Sequence, residues 1–261
     1  MGWSNFAYFT YRLDQNIKMS WIKNKLYQFF NKQGYLIYKK DLFEQRFRLR
    51  GELQPLEQLF YQKLHKDFFF LQIGANDGVS FDPIYHLITK ENVHGMALEP
   101  IPDLFVQLKK NYAKYPNVQL VNKAVHKSEK EMILYRVDPK KDYPDWTKGT
   151  ASFNKFHHAL SGITEADILE EKVACTSLDE LIDQNKIKKI DLLQIDTEGY
   201  DYEIIKMIDF DNIAPAIISF EHGFISGIMT KEKFFEIEEL LIKNKYNIIV
   251  LENDAVAYRL D

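Results

Sequence analysis

One cysteine in 261 residues, Cys175, cannot close an internal disulfide, and no Cys/His group has the paired spacing of a zinc site. Nothing here asks for an oxidising compartment, so the cytoplasm is the expected location. Long apolar runs are also missing. Arg12, Asp14, Lys18, Lys23 and Lys25 interrupt the N-terminal stretch before it reaches signal-peptide length, and no segment approaches a membrane span. Phe6 stands where a myristoylation signal wants Ser or Thr. A surplus of positive charge is absent from most of the chain. Residues 1–66 hold 12 Lys/Arg against 5 Asp/Glu, a balance of +7, so residues 67–261 hold 22 against 33, a balance of −11. Nucleic-acid backbones are bound mainly through Lys and Arg, so the acidic portion is not expected to bind them. A neutral or cationic substrate fits better.

With 46% hydrophobic and 28% charged residues the chain has ordinary globular proportions, and its length suits one α/β domain plus a modest extension. The expected division is a helical extension over 1–66 and a ligand-binding domain over 67–261. In the extension, Ile17, Trp21, Ile22, Leu26, Phe29 and Phe30 fall on one helical face. That face suits packing on the body or an oligomer contact. The alternative is peripheral membrane contact through residues 1–40, a basic aromatic helix on an anionic surface. A second helix over 52–65 turns Leu53, Leu56, Leu59, Phe60 and Leu64 inward.

The chain is organised around Phe68-Phe69-Phe70-Leu71-Gln72-Ile73, a strand reading as buried on both faces, which stops at Gly74-Ala75-Asn76-Asp77-Gly78. Such a turn is where α/β sheets hold nucleotide-like ligands, its glycines permitting close backbone approach and the N–H groups of the following helix start facing the ligand. That helix is expected over 79–90. The next buried strand, 93–98, ends on Glu99, about twenty positions beyond the turn, where one carboxylate can accept from two ribose hydroxyls. A third strand covers 118–121, and Glu131–Val137 alternates as an added antiparallel strand. Residues 138–172 form the least regular region and the candidate substrate cap, with His157 and His158 as possible acid/base groups.

Two later strands also end in acidic tips, Asp196-Thr197-Glu198-Gly199 and Glu221-His222-Gly223. Acidic tips on neighbouring parallel strands create the crevice at which doubly wound sheets bind ligands. Ser177 to Glu180 opens a capped helix, and Glu252-Asn253-Asp254 turns a terminal hairpin. Asp196, Glu198, Glu221 and His222 are the candidate general bases because all project from strand tips. The three carboxylates also have the oxygen donors of a divalent-cation site, although no metal is assigned. From the residues alone a nicotinamide-dependent oxidoreductase and a non-catalytic binding module remain alternatives, the former against the Gly-x-Asn-x-Gly spacing.

Four separated motifs, Ile73–Gly78, Leu98-Glu99-Pro100 with Phe105 and Leu108, Thr176–Leu181, and Ile195–Tyr200, resemble in order the FkbM family of S-adenosylmethionine-dependent methyltransferases. The resemblance implies a Rossmann-like class I methyltransferase, with a seven-stranded, mostly parallel sheet and an antiparallel C-terminal hairpin. It implies O-methylation, often of a sugar hydroxyl in a glycan, polysaccharide or glycosylated metabolite. By the same resemblance Gly74, Asn76 and Gly78 lie under the methionine part of the cofactor, Glu99 holds the ribose, and Ala124 lines the adenine pocket. Asp196 and Glu198 stand beside the sulfonium and the incoming hydroxyl. The family usually has an acid two positions before Gly74, holding the cofactor's amino group. Here that position is Gln72, leaving Asp77 or Asp196 to supply the carboxylate.

Overall fold

The computed structural model describes residues 55–223 and 227–260. The amphipathic stretch over 17–30, with its packing and membrane readings, lies outside the described residues. The chain runs through α1 (Pro55–Lys63), β1 (Phe69–Ile73), α2 (Tyr85–Glu91), β2 (His94–Leu98), α3 (Pro102–Asn111) and β3 (Val118–Val121). There follow β4 (Ala124–Val125), β5 (Glu131–Val137), α4 (Asp145–Gly149), β6 (Ala151–Ser152), β7 (Ile168–Thr176) and α5 (Leu178–Asn185). The rest is β8 (Leu192–Ile195), α6 (Asp201–Lys206), β9 (Ile217–Glu221), α7 (Lys231–Lys243), β10 (Asn247–Val250) and β11 (Asp254–Tyr258).

Seven strands form the main sheet in the order β3-β2-β1-β8-β9-β11-β10, and β11 alone runs against the others. This is the expected parallel sheet with its antiparallel terminal hairpin. The chain builds outward from β1 to β3, then returns to place β8 on the other side of β1. The order therefore reverses between β1 and β8, where open α/β sheets bind ligands at the carboxyl ends of their strands. Both faces are covered. Leu71, Ile73, Met96, Leu98, Leu193, Ile195, Ile218 and Phe220 pack with Leu181 of α5, Ile204 and Ile205 of α6, and Phe234, Ile237 and Leu241 of α7. On the other face Phe70, Ala97, Leu192, Ile217 and Val256 pack with Leu56, Leu59 and Phe60 of α1, Leu87 and Ile88 of α2, and Leu108 of α3. Burial on both sides explains why the central strands read as continuous apolar runs.

Local chemistry sets the helix ends. Ser177 accepts from the Glu180 N–H while the Glu180 side chain reaches back to the Ser177 backbone, the reciprocal cap expected at α5. Pro102 begins α3, where its missing N–H costs nothing. Two expected boundaries change, the start of the helix after the glycine turn and the end of the cap region. The helix after the glycine turn starts only at Tyr85, because residues 77–84 are held in turns by Asp77 and Asp82, described below. Glu131–Val137 is the antiparallel strand expected, and it belongs to a separate four-stranded sheet, in which β5 pairs antiparallel with β7 and β6, and β4 joins β7. Since β7 begins at Ile168, the irregular cap region ends there rather than at residue 172.

Candidate active site

The turn after β1 is shaped by contacts that only glycine permits at two positions. Gly74 sits at φ +85°, and a Cβ built there would lie 1.8 Å from the backbone oxygen of Asp196. The turn is thus pressed directly against the tip of β8. Gly78, at φ +76°, abuts Leu108 and Tyr112 at 2.5 and 2.7 Å from an added Cβ. Between them Asn76 adopts φ +50°, donates its N–H to Glu99 Oε2 at 2.8 Å, and accepts from the Asp77 N–H at 2.7 Å. The N–H groups expected to face a ligand are already satisfied. Asp77 accepts from the Val79 and Ser80 N–H groups at 2.8 and 2.7 Å, and Asp82 accepts from those of Ile84 and Tyr85 at 2.7 and 3.0 Å. Asp77 also takes the Ser80 hydroxyl, so its carboxylate closes its own turn. Asp82 in turn accepts from Gln72 Nε2 at 3.0 Å.

Glu99 is only 5% exposed at the tip of β2 and accepts from the N–H groups of Asn76 and Ile101, the latter at 2.7 Å. Desolvation pushes its pKa up to about 8, against the lowering effect of those two N–H groups and of Arg136. Two carboxylate oxygens offer about four acceptor sites, so two remain for hydroxyl donors. Ala124 is buried beside Ile101, Leu104 and Cys175 under the start of α3.

Asp196, Glu198 and Glu221 converge: one oxygen from each lies within 4.8 Å of the others. The register explains the convergence. Gln72, Gln194 and Ser219 are cross-strand partners, so two residues on, Gly74, Asp196 and Glu221 follow on the same face. Glu198 is added by the turn itself, at φ +53° before Gly199 at φ +108°. Fully buried Asp201 fixes that turn, accepting from the Thr197 N–H and hydroxyl at 3.1 and 2.5 Å and from the Glu221 N–H at 3.0 Å. Desolvation raises Asp201 to about 6. Asp196 is open to solvent on the crevice side, yet dense protein surrounds the rest of it, and desolvation with the charges of Glu198, Asp201, Asp254 and Asp82 raises its pKa. Desolvation, then the Glu198 and Asp196 charges, raises Glu221 as well.

The cap region reaches this cluster. His157 Nε2 lies 3.0 Å from Glu198 Oε2, and the Ser152 hydroxyl donates to the Glu198 carbonyl at 2.6 Å. His158 is buried with Nε2 at 3.0 Å from the Tyr135 carbonyl, and an added Cβ on Gly149 would meet the Asn76 side chain at 2.2 Å. The loop therefore touches both the glycine turn and the β8 tip. His222 does not join the three carboxylates: its buried ring packs on Phe234, with Nε2 3.2 Å from the Leu251 carbonyl.

Asp82 and Asp201 carry only the local signals of helix starts, so no site role for them is legible in the sequence. His157 is legible as a possible acid/base group, but nothing local indicates which strand tip a long loop will touch. The concavity lined by Leu178, Ile182, Ile208 and Ile213 contains none of the strand-tip carboxylates.

Against solved structures, the chain is similar to the O-methyltransferase from Bacillus cereus in complex with SAH, at 11% identity and TM-score 0.43, covering 90% of this chain and 97% of that one. It is also similar to the SAH-bound Podospora anserina methyltransferase PaMTH1, at 13% identity and TM-score 0.40, covering 95% and 100%. Precorrin-6y C5,15-methyltransferase from Geobacter metallireducens follows at 14% identity and TM-score 0.40, covering 81% and 91%. No curated protein matches the sequence. The profile of the methyltransferase FkbM domain matches residues 72–248, from the strand beneath the glycine turn to the terminal hairpin. The turn, the acidic tips and the strands β2, β3, β8 and β9 thus fall within one matched segment, and the chain belongs to the FkbM family of S-adenosylmethionine-dependent methyltransferases.

Proposed function

We propose that this methyltransferase acts on oxygen, transferring the methyl group to a hydroxyl of a saccharide in a glycan, polysaccharide or glycosylated metabolite. The observation that carries the reading is the meeting of Asp196, Glu198 and Glu221, joined by His157, beside the glycine turn. The residues present fit the cofactor. Gly74 leaves no room for a Cβ at the turn, Glu99 keeps free acceptor sites, and Gln72 Oε1 is buried with no hydrogen-bond partner among the described residues. S-adenosylmethionine, when bound, supplies an electrophilic methyl group on a positively charged sulfur.

The chain's own tasks are positioning and proton removal. Glu99 accepts from the ribose hydroxyls, and Gly74, Asn76 and Gly78 shape the floor under the methionine part. Asp77 contributes through the turn it closes rather than through a free carboxylate. Ala124 belongs to the apolar wall proposed for the adenine. Asp196 has a raised pKa, which brings it closer to the range in which a carboxylate accepts a hydroxyl proton effectively, whereas Glu221, pushed up to about 10, keeps its proton near neutral pH. Glu198 orients the loop through His157 and faces the same acceptor. A polyol suits such a site, since several hydroxyl donors can meet several carboxylate acceptors.

Calorimetric titration with S-adenosylhomocysteine and NAD tests the cofactor, and mass spectrometry of glycans and metabolites from cells lacking the protein tests the acceptor. A methyl difference on a sugar oxygen supports the reading; one on nitrogen or carbon overturns it. Magnesium titration decides whether the three carboxylates also take a cation; heat of binding would add a metal to the site.

A further inference from the structure

The face that carries Asp196 and Glu221 changes character along the strands. Phe70, Leu192 and Ile217 form an apolar rung, and Gln72, Gln194 and Ser219 form the next one toward the tips. Those three polar residues are 2%, 4% and 4% exposed. Two neutral amides on adjacent central strands are costly unless their polar atoms are used, since a buried acceptor without a donor loses its hydration with no return. Yet Gln72 Oε1 and Gln194 Oε1 both lack a hydrogen-bond partner among the described residues.

For Gln72 the orientation is chemically fixed. Its Nε2 donates to Asp82 Oδ2 at 3.0 Å, and turning the amide over would set two oxygens against each other. Its carbonyl oxygen must therefore face away from Asp82. Asp82 itself is held by the Ile84 and Tyr85 N–H groups and is pointed at the strand from the head of α2. Around it, burial and the charge of Asp77 oppose its ionisation against the lowering effect of the Gln72, Ile84 and Tyr85 donors, so a cation arriving here stabilises the ionised form.

Resting on the reading above that the crevice takes S-adenosylmethionine, we propose that the ammonium of its methionine part is held by Asp82 together with the carbonyl oxygens of Gln72 and Gln194. An ammonium has three donors and no acceptor, and this group offers one anion and two orphaned acceptors. The carboxylate has moved off β1. Gln72, at the position where an acid would place a charge on the strand itself, instead bridges the strand to a carboxylate ten residues later. That makes neither Asp77 nor Asp196 the substitute: Asp77 is spent on its own turn, and Asp196 faces the acceptor side with Glu198 and Glu221.

The test compares two ligands, S-adenosylhomocysteine and 5′-methylthioadenosine, which lacks the amino-acid part, by calorimetry on the full chain. Asp82→Asn keeps an oxygen for the helix start and removes the charge. It is expected to weaken S-adenosylhomocysteine about 10- to 100-fold, in line with a lost charged hydrogen bond, while 5′-methylthioadenosine changes less than about twofold. Gln194→Met is expected to weaken the first ligand several-fold with the same selectivity. Adding Gln72→Glu to Asp82→Asn returns a carboxylate to the strand and is expected to restore most of the affinity. S-adenosylhomocysteine binding untouched by Asp82→Asn and Gln194→Met, or equal loss for both ligands, overturns the assignment alone. No binding of S-adenosylhomocysteine by the unaltered chain overturns the reading of the crevice and the assignment with it.

Discussion

His157, in the loop between β6 and β7, lies 3.0 Å from Glu198, a residue 41 positions later at the tip of β8. Both side chains are largely shielded, at 12% and 20% exposure, so the pair is less screened than a surface ion pair. With the Ser152 hydroxyl on the Glu198 carbonyl, it fastens the loop over the crevice. Glu198→Gln combined with Ser152→Ala should release it. Hydrogen exchange across residues 150–160 is expected to accelerate by about tenfold or more, since each lost contact is worth on the order of 1 kcal/mol. Unchanged exchange there would show that the loop is held by its other contacts.

Glu99 gives a pH dependence with a definite sign. Ribose hydroxyls require the ionised acceptor, and Glu99 in the free protein carries a pKa pushed up to about 8 by burial. Affinity for S-adenosylhomocysteine should therefore rise between about pH 7 and 9 as this group loses its proton. Glu99→Gln should flatten that rise and weaken binding by roughly 1 to 3 kcal/mol at the upper end. A wild-type affinity that falls over the same interval would remove Glu99 from the ribose site.

The crowding of carboxylates should be visible in stability. Glu221 has a folded-state pKa above its unfolded value, so its contribution is fully present below the unfolded pKa and is lost as pH rises toward the folded one. Glu221→Gln removes the titrating group. The variant should match the unaltered protein near pH 4 to 5 and become progressively more stable than it toward pH 9, by at most about 1.4 kcal/mol per pH unit. Chemical denaturation at three pH values checks this, and a stability difference that shrinks with rising pH would contradict the assigned direction.

Gly74 and Gly162 separate two costs that a left-handed glycine can conceal. Both have positive φ, but a Cβ at Gly162 meets nothing within 4 Å, whereas one at Gly74 strikes the Asp196 backbone. Gly162→Ala should cost about 1 kcal/mol, from backbone strain alone. Gly74→Ala should cost clearly more, roughly 3 kcal/mol or above, because neither backbone can withdraw without parting β1 from β8. Equal losses in thermal melts would mean that the turn is not wedged against the β8 tip.

Much of this protein is legible in its sequence, for reasons that are local. The double burial of β1 is written in five apolar residues among the six of Phe68–Ile73, the turn in its glycines, the α5 cap in Ser177 and Glu180, and the acidic tips in the ends of their strands. What the sequence could not show depends on which distant segments pair and in what register. The in-line placement of Gln72 and Gln194 follows from strand pairing across more than a hundred residues, and the pairing of Gln194 with Ser219 decides that Asp196 and Glu221 share a face. The diversion of β5 into a second sheet, the turning of His222 onto Phe234, and the landing of His157 on Glu198 are likewise tertiary outcomes. Side-chain alternation along a strand is a local rule, but the direction in which each tip residue points is set only when neighbouring strands lock their hydrogen bonds.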